Sequence, residues 1–228
     1  MPRTTLALTS FVSGEFGNKL TGRTDFEKYQ SAAKTMENFL VHPQGAATRR
    51  VGTQFISEVK SSAAKTRLIP FEFSTTQTYI LEFGNQYIRF YKDKGQIVTG
   101  SPAVAYEIAT PYLTAELFDI KFAQSADVMY LVHPNHNVRK LSRTGHTSWT
   151  LATVSFTGSP SLPIAGANNR PSCVSFYEQR LAFAGTNNNP QTIWFSKAGD
   201  YENFTTGTNA DDAMIYTIAS NQVNAIRY

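Results

Sequence analysis

The sequence predicts a mainly β protein made of antiparallel, β-propeller-like blades, partial or fragmentary in number, with one N-terminal amphipathic helix. Three observations carry this reading. Apolar residues alternate with polar ones over short runs, as at Val174 and Phe176 and then Leu181 and Phe183, which is the period of a half-buried strand. Turn chemistry separates the runs, as at Gly185 to Pro190 and Gly199-Asp200, where Gly, Asn and Pro favour reversal of the chain. The pattern also recurs.

Phe118 to Leu151 lays over Pro171 to Phe204 with few adjustments. Ile120 and Phe122 match Val174 and Phe176, and Met129-Tyr130-Leu131 matches Leu181-Ala182-Phe183. The polar stretch His133 to Asn137 matches Thr186 to Pro190, Ser142 matches Ser196 and Gly145 matches Gly199. A fainter copy runs from Thr78 to Val98, and Ile226 with Tyr228 resembles the opening pair again. A period of roughly 40–50 residues carrying about four short strands is the signature of a propeller blade. An unrelated sandwich or barrel would also contain similar hairpins; the matched Ser and Gly spacings favour a repeat. Residues 1–66 then form a strand, helix and loop region suited to a subunit interface. Residues 67–228 hold the blades, at about 67–110, 111–165 and 166–220, with the start of a further one at 221–228.

In chain order, Leu6, Leu8 and Phe11 suggest one alternating strand, broken by Ser13-Gly14 and Gly17-Asn18. Thr24 followed by Glu27 has the spacing of a capping box. Phe26, Tyr29, Ala33, Met36 and Leu40 follow at steps of three and four, a single apolar stripe on a helix. Pro43 stops that helix by disfavouring helical geometry at His42. Gly45 and Gly52 bracket a loop holding Arg49-Arg50, and Thr53 to Val59 reads as a strand. Leu68 to Phe73, Tyr79 to Phe83 and Tyr87 to Tyr91 are strands, the last two joined across Gly84-Asn85-Gln86, with a turn at Lys92 to Gly95. Gly100-Ser101-Pro102 opens a linker, and Pro111 to Leu117 suits a short turn of helix.

Composition bounds the function. The 228 residues are 41% hydrophobic and 13% aromatic, enough for a packed core and unlike a disordered chain. The net charge of +4 comes from scattered Lys and Arg, a mildly basic surface; a basic channel lining that passes DNA without base readout is the sharper alternative. The single cysteine, Cys173, excludes an internal disulfide and reads as a small buried residue. No apolar run reaches membrane-spanning length, and Met1 to Phe11 lacks a signal-peptide core. Those two features predict a chain that stays in a host cytoplasm until it is assembled.

Candidate chemistry is sparse. His133, His136 and His146 are the first place to look for a metal, although zinc needs three or four ligands and the polarity of a loop accounts for His133 and His136 equally well. Arg49-Arg50 could grip phosphate or carboxylate or act as a structural clamp. Asp211-Asp212 reads as a solvated acid pair. No nucleophile, zincin, nucleotide or dinucleotide motif occurs. The sequence therefore predicts no catalytic residue, no cofactor and no metal site.

Several longer phrases carry a resemblance: Ser13 to Tyr29, Asn38 to Ile56, Arg67 to Tyr91 and Ile193 to Phe204. Together they resemble the tail nozzle, or tail tubular protein B, group of virion proteins from short-tailed phages. The resemblance implies a non-enzymatic virion protein that contains a β-propeller. It implies a homo-oligomeric ring below the tail adaptor, surrounding the channel through which DNA leaves. The chain is short for that group, which predicts a fragment of a longer polypeptide or a partial propeller. The alternative from another class is a glycan-binding or glycan-cleaving host-recognition module. It would use Tyr177, Tyr201 and Trp149 to stack on sugars and acids drawn from Glu178, Asp200 and Glu202. A propeller scaffold for protein partners outside a virion is a third.

Overall fold

Strands dominate, and most of their pairings follow the alternation of the sequence. The computed structural model describes residues 7–158, 169–222 and 224–227. The chain divides into two units, Met1–Phe55 and Ile56–Tyr228.

In the first unit, β1 (Gly14–Glu15) pairs in parallel with β2 (Ala32–Ala33), and β3 (Phe39–Val41) forms a hairpin with β4 (Ala47–Arg49). The expected amphipathic helix does not form. Its place is taken by a five-residue 3₁₀ turn, Glu27–Ser31, followed by β2 and β3. Phe26 occupies the N-cap in extended geometry with no side-chain cap, so the Thr24–Glu27 box stays unmade. Asn38 takes a left-handed φ of 64° that no helix accommodates. The apolar stripe is also divided: Phe26 and Tyr29 gather on Phe16 at ring distances of 5.9 and 6.4 Å, while Leu40 stays exposed. A helix gains most of its stability from packing its apolar face. Here that face has no continuous partner, and the Ala32–Ala33 backbone pairs with β1 instead.

Three further expectations fail. Thr53 to Val59 pairs with no strand, and Phe55 is left 81% exposed. Pro111 to Leu117 makes turns and no helix. Leu6 lies outside the described residues, and no strand forms at Leu8 or Phe11.

The second unit holds three antiparallel sheets in chain order. The first is built on β5 (Arg67–Glu72), β6 (Thr78–Gly84) and β7 (Tyr87–Lys92). Its outer position is split. β8 (Gly95–Gln96) covers one end of β7, the chain leaves in a hairpin of β9 (Val98–Thr99) and β10 (Val104–Ala105), and β11 (Glu107–Ala109) returns beside the rest of β7. The second sheet is a meander of β12 (Lys121–Ser125), β13 (Val128–His133), β14 (His136–Gly145) and β15 (Ser148–Thr153). The third is a meander of β16 (Cys173–Tyr177), β17 (Arg180–Ala184), β18 (Thr192–Phe195) and β19 (Met214–Thr217). Among the described residues the sheets close into neither a barrel nor a propeller ring.

Tight turns set the hairpins. Asp93-Lys94 and Glu178-Gln179 both carry positive φ at both central positions, the geometry whose twist matches antiparallel strands. These turns correct the repeat alignment. Measured from the turns, Phe122 stands opposite Leu131 as Val174 stands opposite Phe183, so Phe122 corresponds to Val174 and not to Phe176. Ser196 bonds across to Leu181, whereas the residue opposite Met129 is Leu141, so Ser142 and Ser196 are not equivalent either.

Two cores hold the sheets together. Ile69, Phe71, Leu81, Phe90, Met129, Leu131 and Trp149 belong to the first, between the first and second sheets. Tyr130, Val132, Leu181, Phe183, Trp194 and Phe204 belong to the second, between the second and third. Strand β13 serves both, with Met129 and Leu131 on one face and Tyr130 and Val132 on the other. The second sheet is therefore a middle layer with no solvent face along β13.

Candidate functional site

Stacking three sheets leaves two outer faces. On the first sheet, the residues alternating with the core set are Leu68, Ile80, Glu82, Tyr87, Arg89 and Tyr91. Leu68 is 63% exposed and Ile80 41%. Part of this face forms a groove of about 590 Å³ between the strands and Ile56, Ser57 and Val59. At its floor Glu82 is buried, and its carboxylate accepts hydrogen bonds from Tyr87 Oη at 2.6 Å and from Tyr91 Oη. Burial, reinforced by the Glu82 charge, pushes the Tyr91 hydroxyl up to about 12 and raises Tyr87 as well. Both phenols thus stay protonated as donors, and a buried carboxylate that accepts two of them is satisfied. The groove is mainly apolar, with Glu82 sequestered at its floor and Ser57, Thr78, Lys92, Asp93 and Lys94 also in its lining.

The outer face of the third sheet is aromatic. Phe195 lies 6.2 Å from both Tyr177 and Tyr216, which are exposed, with Ile193 alongside. Contiguous exposed apolar surface of this kind marks an interaction site on a soluble protein.

A third feature sits at the β13–β14 turn. His133 and His136 flank the two-residue turn Pro134-Asn135 and face each other across the hairpin. Glu116, from the turns before β12, reaches them: its Oε2 bonds His136 Nε2 at 2.8 Å and accepts the Leu113 amide at 2.9 Å. One ligand atom from each of Glu116, His133 and His136 falls within 4.8 Å of the others. Burial works to raise Glu116, but the Leu113 amide and the His136 and Asn135 side chains outweigh it and hold the carboxyl down at about 2. His133 is 2% exposed, and burial lowers its basicity. Its Nδ1 accepts the Asn135 amide at 3.0 Å, and its Nε2 has no partner among the described residues. The sequence pointed to both histidines. It gave no sign of Glu116, which lies 17 positions before His133 in an irregular segment.

The remaining candidates have structural tasks. His146 accepts or donates to Tyr79 Oη at 2.7 Å and does not join the other two histidines. Arg50 clamps Asn38 through Oδ1 at 2.6 Å, and Arg49 ends β4. Asp211 and Asp212 share Lys197 at 3.2 and 3.6 Å. Cys173 is buried, with Sγ 3.4 Å from the Ile226 carbonyl. Of the sugar-stacking aromatics, Trp149 is in the first core and Tyr201 packs on Phe176 at 5.0 Å; Tyr177 alone is exposed. Among the acids, Glu202 is engaged by Tyr130 at 3.0 Å and by Lys140, Glu178 lies in the turn before β17, and the backbone of Asp200 pairs with that of Lys197.

The sequence missed Arg180. It is 6% exposed and its guanidinium donates to the carbonyls of Ser196, Asp212 and Ala210 at 2.8, 2.6 and 2.7 Å, tying β17 to the loop before β19. A planar guanidinium, with its donors fixed in a rigid fork, suits holding three carbonyls at once.

No protein-family model matches the chain, and no curated protein matches it. Among the described residues no helix is long and apolar enough to cross a membrane.

Proposed function

We propose that the chain is a non-catalytic structural component of a short-tailed phage tail, of the nozzle or tail tubular protein B type. In that role it oligomerises as a ring around the DNA exit channel, is assembled in the host cytoplasm and resides in the virion. The observation that carries this reading is the serial stack of three β-sheets with apolar side chains left on both outer faces. Ile80 and Leu68 at one end, and Tyr177, Phe195 and Tyr216 at the other, have the character of a domain core cut through. Interfaces of that composition belong to permanent assemblies.

On this reading the sheets are consecutive blades of a β-propeller, completed by further sheets or by a neighbouring copy. The close approach of β12 to β16, the first strands of adjacent sheets, suits a radial arrangement. The first unit offers Phe39, Leu40, Val51 and Phe55 to solvent, and these supply the subunit interface. The tail adaptor and other tail proteins are the partners, and the net charge of +4 permits non-specific contact with passing DNA.

The test is oligomeric state by light scattering and negative-stain imaging, together with mass spectrometry of intact virions. Rings are expected from the unaltered protein and their loss from Tyr216→Glu and Ile80→Glu variants that remain folded. Monodisperse monomers, with the protein absent from virions, would overturn the reading.

A further inference from the structure

The cluster at the β13–β14 turn has a property that the tail reading does not use. Three side chains of zinc-ligating type converge there from two separate parts of the chain, and among the described residues no Lys or Arg forms an ion pair with Glu116. Two histidines and one carboxylate, with further positions left to water, form a donor set that suits Zn²⁺.

Geometry narrows the reading. His133 and His136 are held on one face of a two-residue turn, so their spacing is fixed by the hairpin. Glu116 already touches His136 at 2.8 Å, and all three ligand atoms lie within 4.8 Å of one another. Zinc bonds of about 2.0–2.2 Å put neighbouring ligand atoms roughly 3.3 Å apart, so a small contraction closes the shell. Glu116 and His136 keep 17% and 20% of their side chains accessible, which leaves an entry path.

A second observation points the same way. The imidazole of His133 is 2% exposed, and its Nε2 meets no hydrogen-bond partner among the described residues. A buried polar atom left so carries an unpaid desolvation penalty, unless something outside the protein meets it.

We propose that Glu116, His133 and His136 form a divalent transition-metal site, selective for Zn²⁺ over Mg²⁺, that fastens the segment before the second sheet to the β13–β14 turn. The inference is independent of the tail reading. The cation takes the Nε2 lone pair of His133, and the proton of that ring moves to Nδ1. Nδ1 then no longer accepts the Asn135 amide. On His136 the cation replaces the proton shared with Glu116, and Nδ1 carries the remaining ring proton.

The experiment is calorimetric titration of the metal-stripped full chain with ZnCl₂ and, separately, MgCl₂. One zinc per chain and no magnesium binding are expected. His136→Ala and Glu116→Gln each weaken the affinity by roughly tenfold or more, while a His42→Ala/His146→Ala double variant binds as the unaltered chain does. Absence of zinc binding, or equal binding by His136→Ala, overturns the proposal; a buried water at Nε2 gives the first of these results. Should a variant fail to fold, the amide resonance of Asn135 in the unaltered protein decides. It moves as one equivalent of zinc is added, or the site is not there.

Discussion

Trp149 tests whether the first two sheets are one cooperative body. Its indole stacks on Phe90 at 4.5 Å, meets the edges of Phe71 and Tyr79 at 4.8 and 5.3 Å, and donates Nε1–H to the His146 carbonyl at 3.1 Å. Phe90, Phe71 and Tyr79 belong to the first sheet and Trp149 to the second, so Trp149→Ala removes the largest single side chain between them. Truncating a buried Trp costs about 3–5 kcal/mol, a large share of a domain stability of about 5–15 kcal/mol. Trp149→Leu with Phe90→Leu in a double-mutant cycle isolates the stack itself, expected at about 0.5–1.5 kcal/mol.

Urea unfolding followed by fluorescence provides the assay, because the chain has two tryptophans, one in each core. Trp149→Phe leaves Trp194 to report on the second core, and Trp194→Phe leaves Trp149 to report on the first. Within each variant, coincident midpoints by fluorescence and by far-UV circular dichroism are expected, since β13 belongs to both cores and cannot loosen from one alone. A loss below about 1 kcal/mol for Trp149→Ala, or two separated transitions, would refute the argument.

Acid offers a further check. Glu116 is held down at about 2 against an ordinary 4.5, so its contribution is complete above about 4.5 and fades as the pH falls towards 2. His133 is lowered from 6.5, so below that value the unfolded chain takes the proton more readily and stability falls again. The stability gap between the unaltered protein and Glu116→Gln, measured by urea midpoints, should therefore shrink between about pH 4.5 and 2; a constant gap counts against the assignment. At the β16–β17 turn, Glu178 and Gln179 hold φ of 45° and 60° without being glycine. Replacement by Asn-Gly relieves that geometry and should raise stability by about 0.5–1 kcal/mol. A lower melting temperature for that variant would contradict the turn assignment.

Much of the β architecture was legible because period-two burial writes itself into the sequence. Ile69 and Phe71, Tyr79, Leu81 and Phe83, and Leu181 and Phe183 alternate as their strands require. The helix misled because Phe26, Tyr29 and Leu40 have helical spacing, and spacing says nothing of whether an apolar partner exists for the whole stripe. Phe16, ten residues before Phe26, claimed two of those side chains. Similarity of residue type also misplaced the repeat: Ser142 resembles Ser196, but the turn lengths decide which residues stand opposite each other. Trp149 looked like a solvent-facing aromatic beside a polar loop, and only the packing of two sheets shows it enclosed. Glu116 and Arg180 act through partners distant in sequence, such as Asn135 and Ala210, and no local pattern announces such contacts.

Strand β13 has apolar residues pointing both ways, and this alters what defines its alignment. In a strand with one wet face, sliding by a residue would drown the greasy side, and that penalty locks the pairing. Sliding β13 would merely exchange one oily environment for another. Its alignment must come from elsewhere, and Arg143 supplies it: the amide reaches the Asp127 carbonyl at 2.9 Å, the guanidinium holds the Asp127 carboxylate at 2.9 Å, and the same group lies over the ring of Phe73, just past β5 of the first sheet. One polar bracket at the end of the hairpin thus acts as the ratchet for a layer that hydrophobicity alone would leave free to slip.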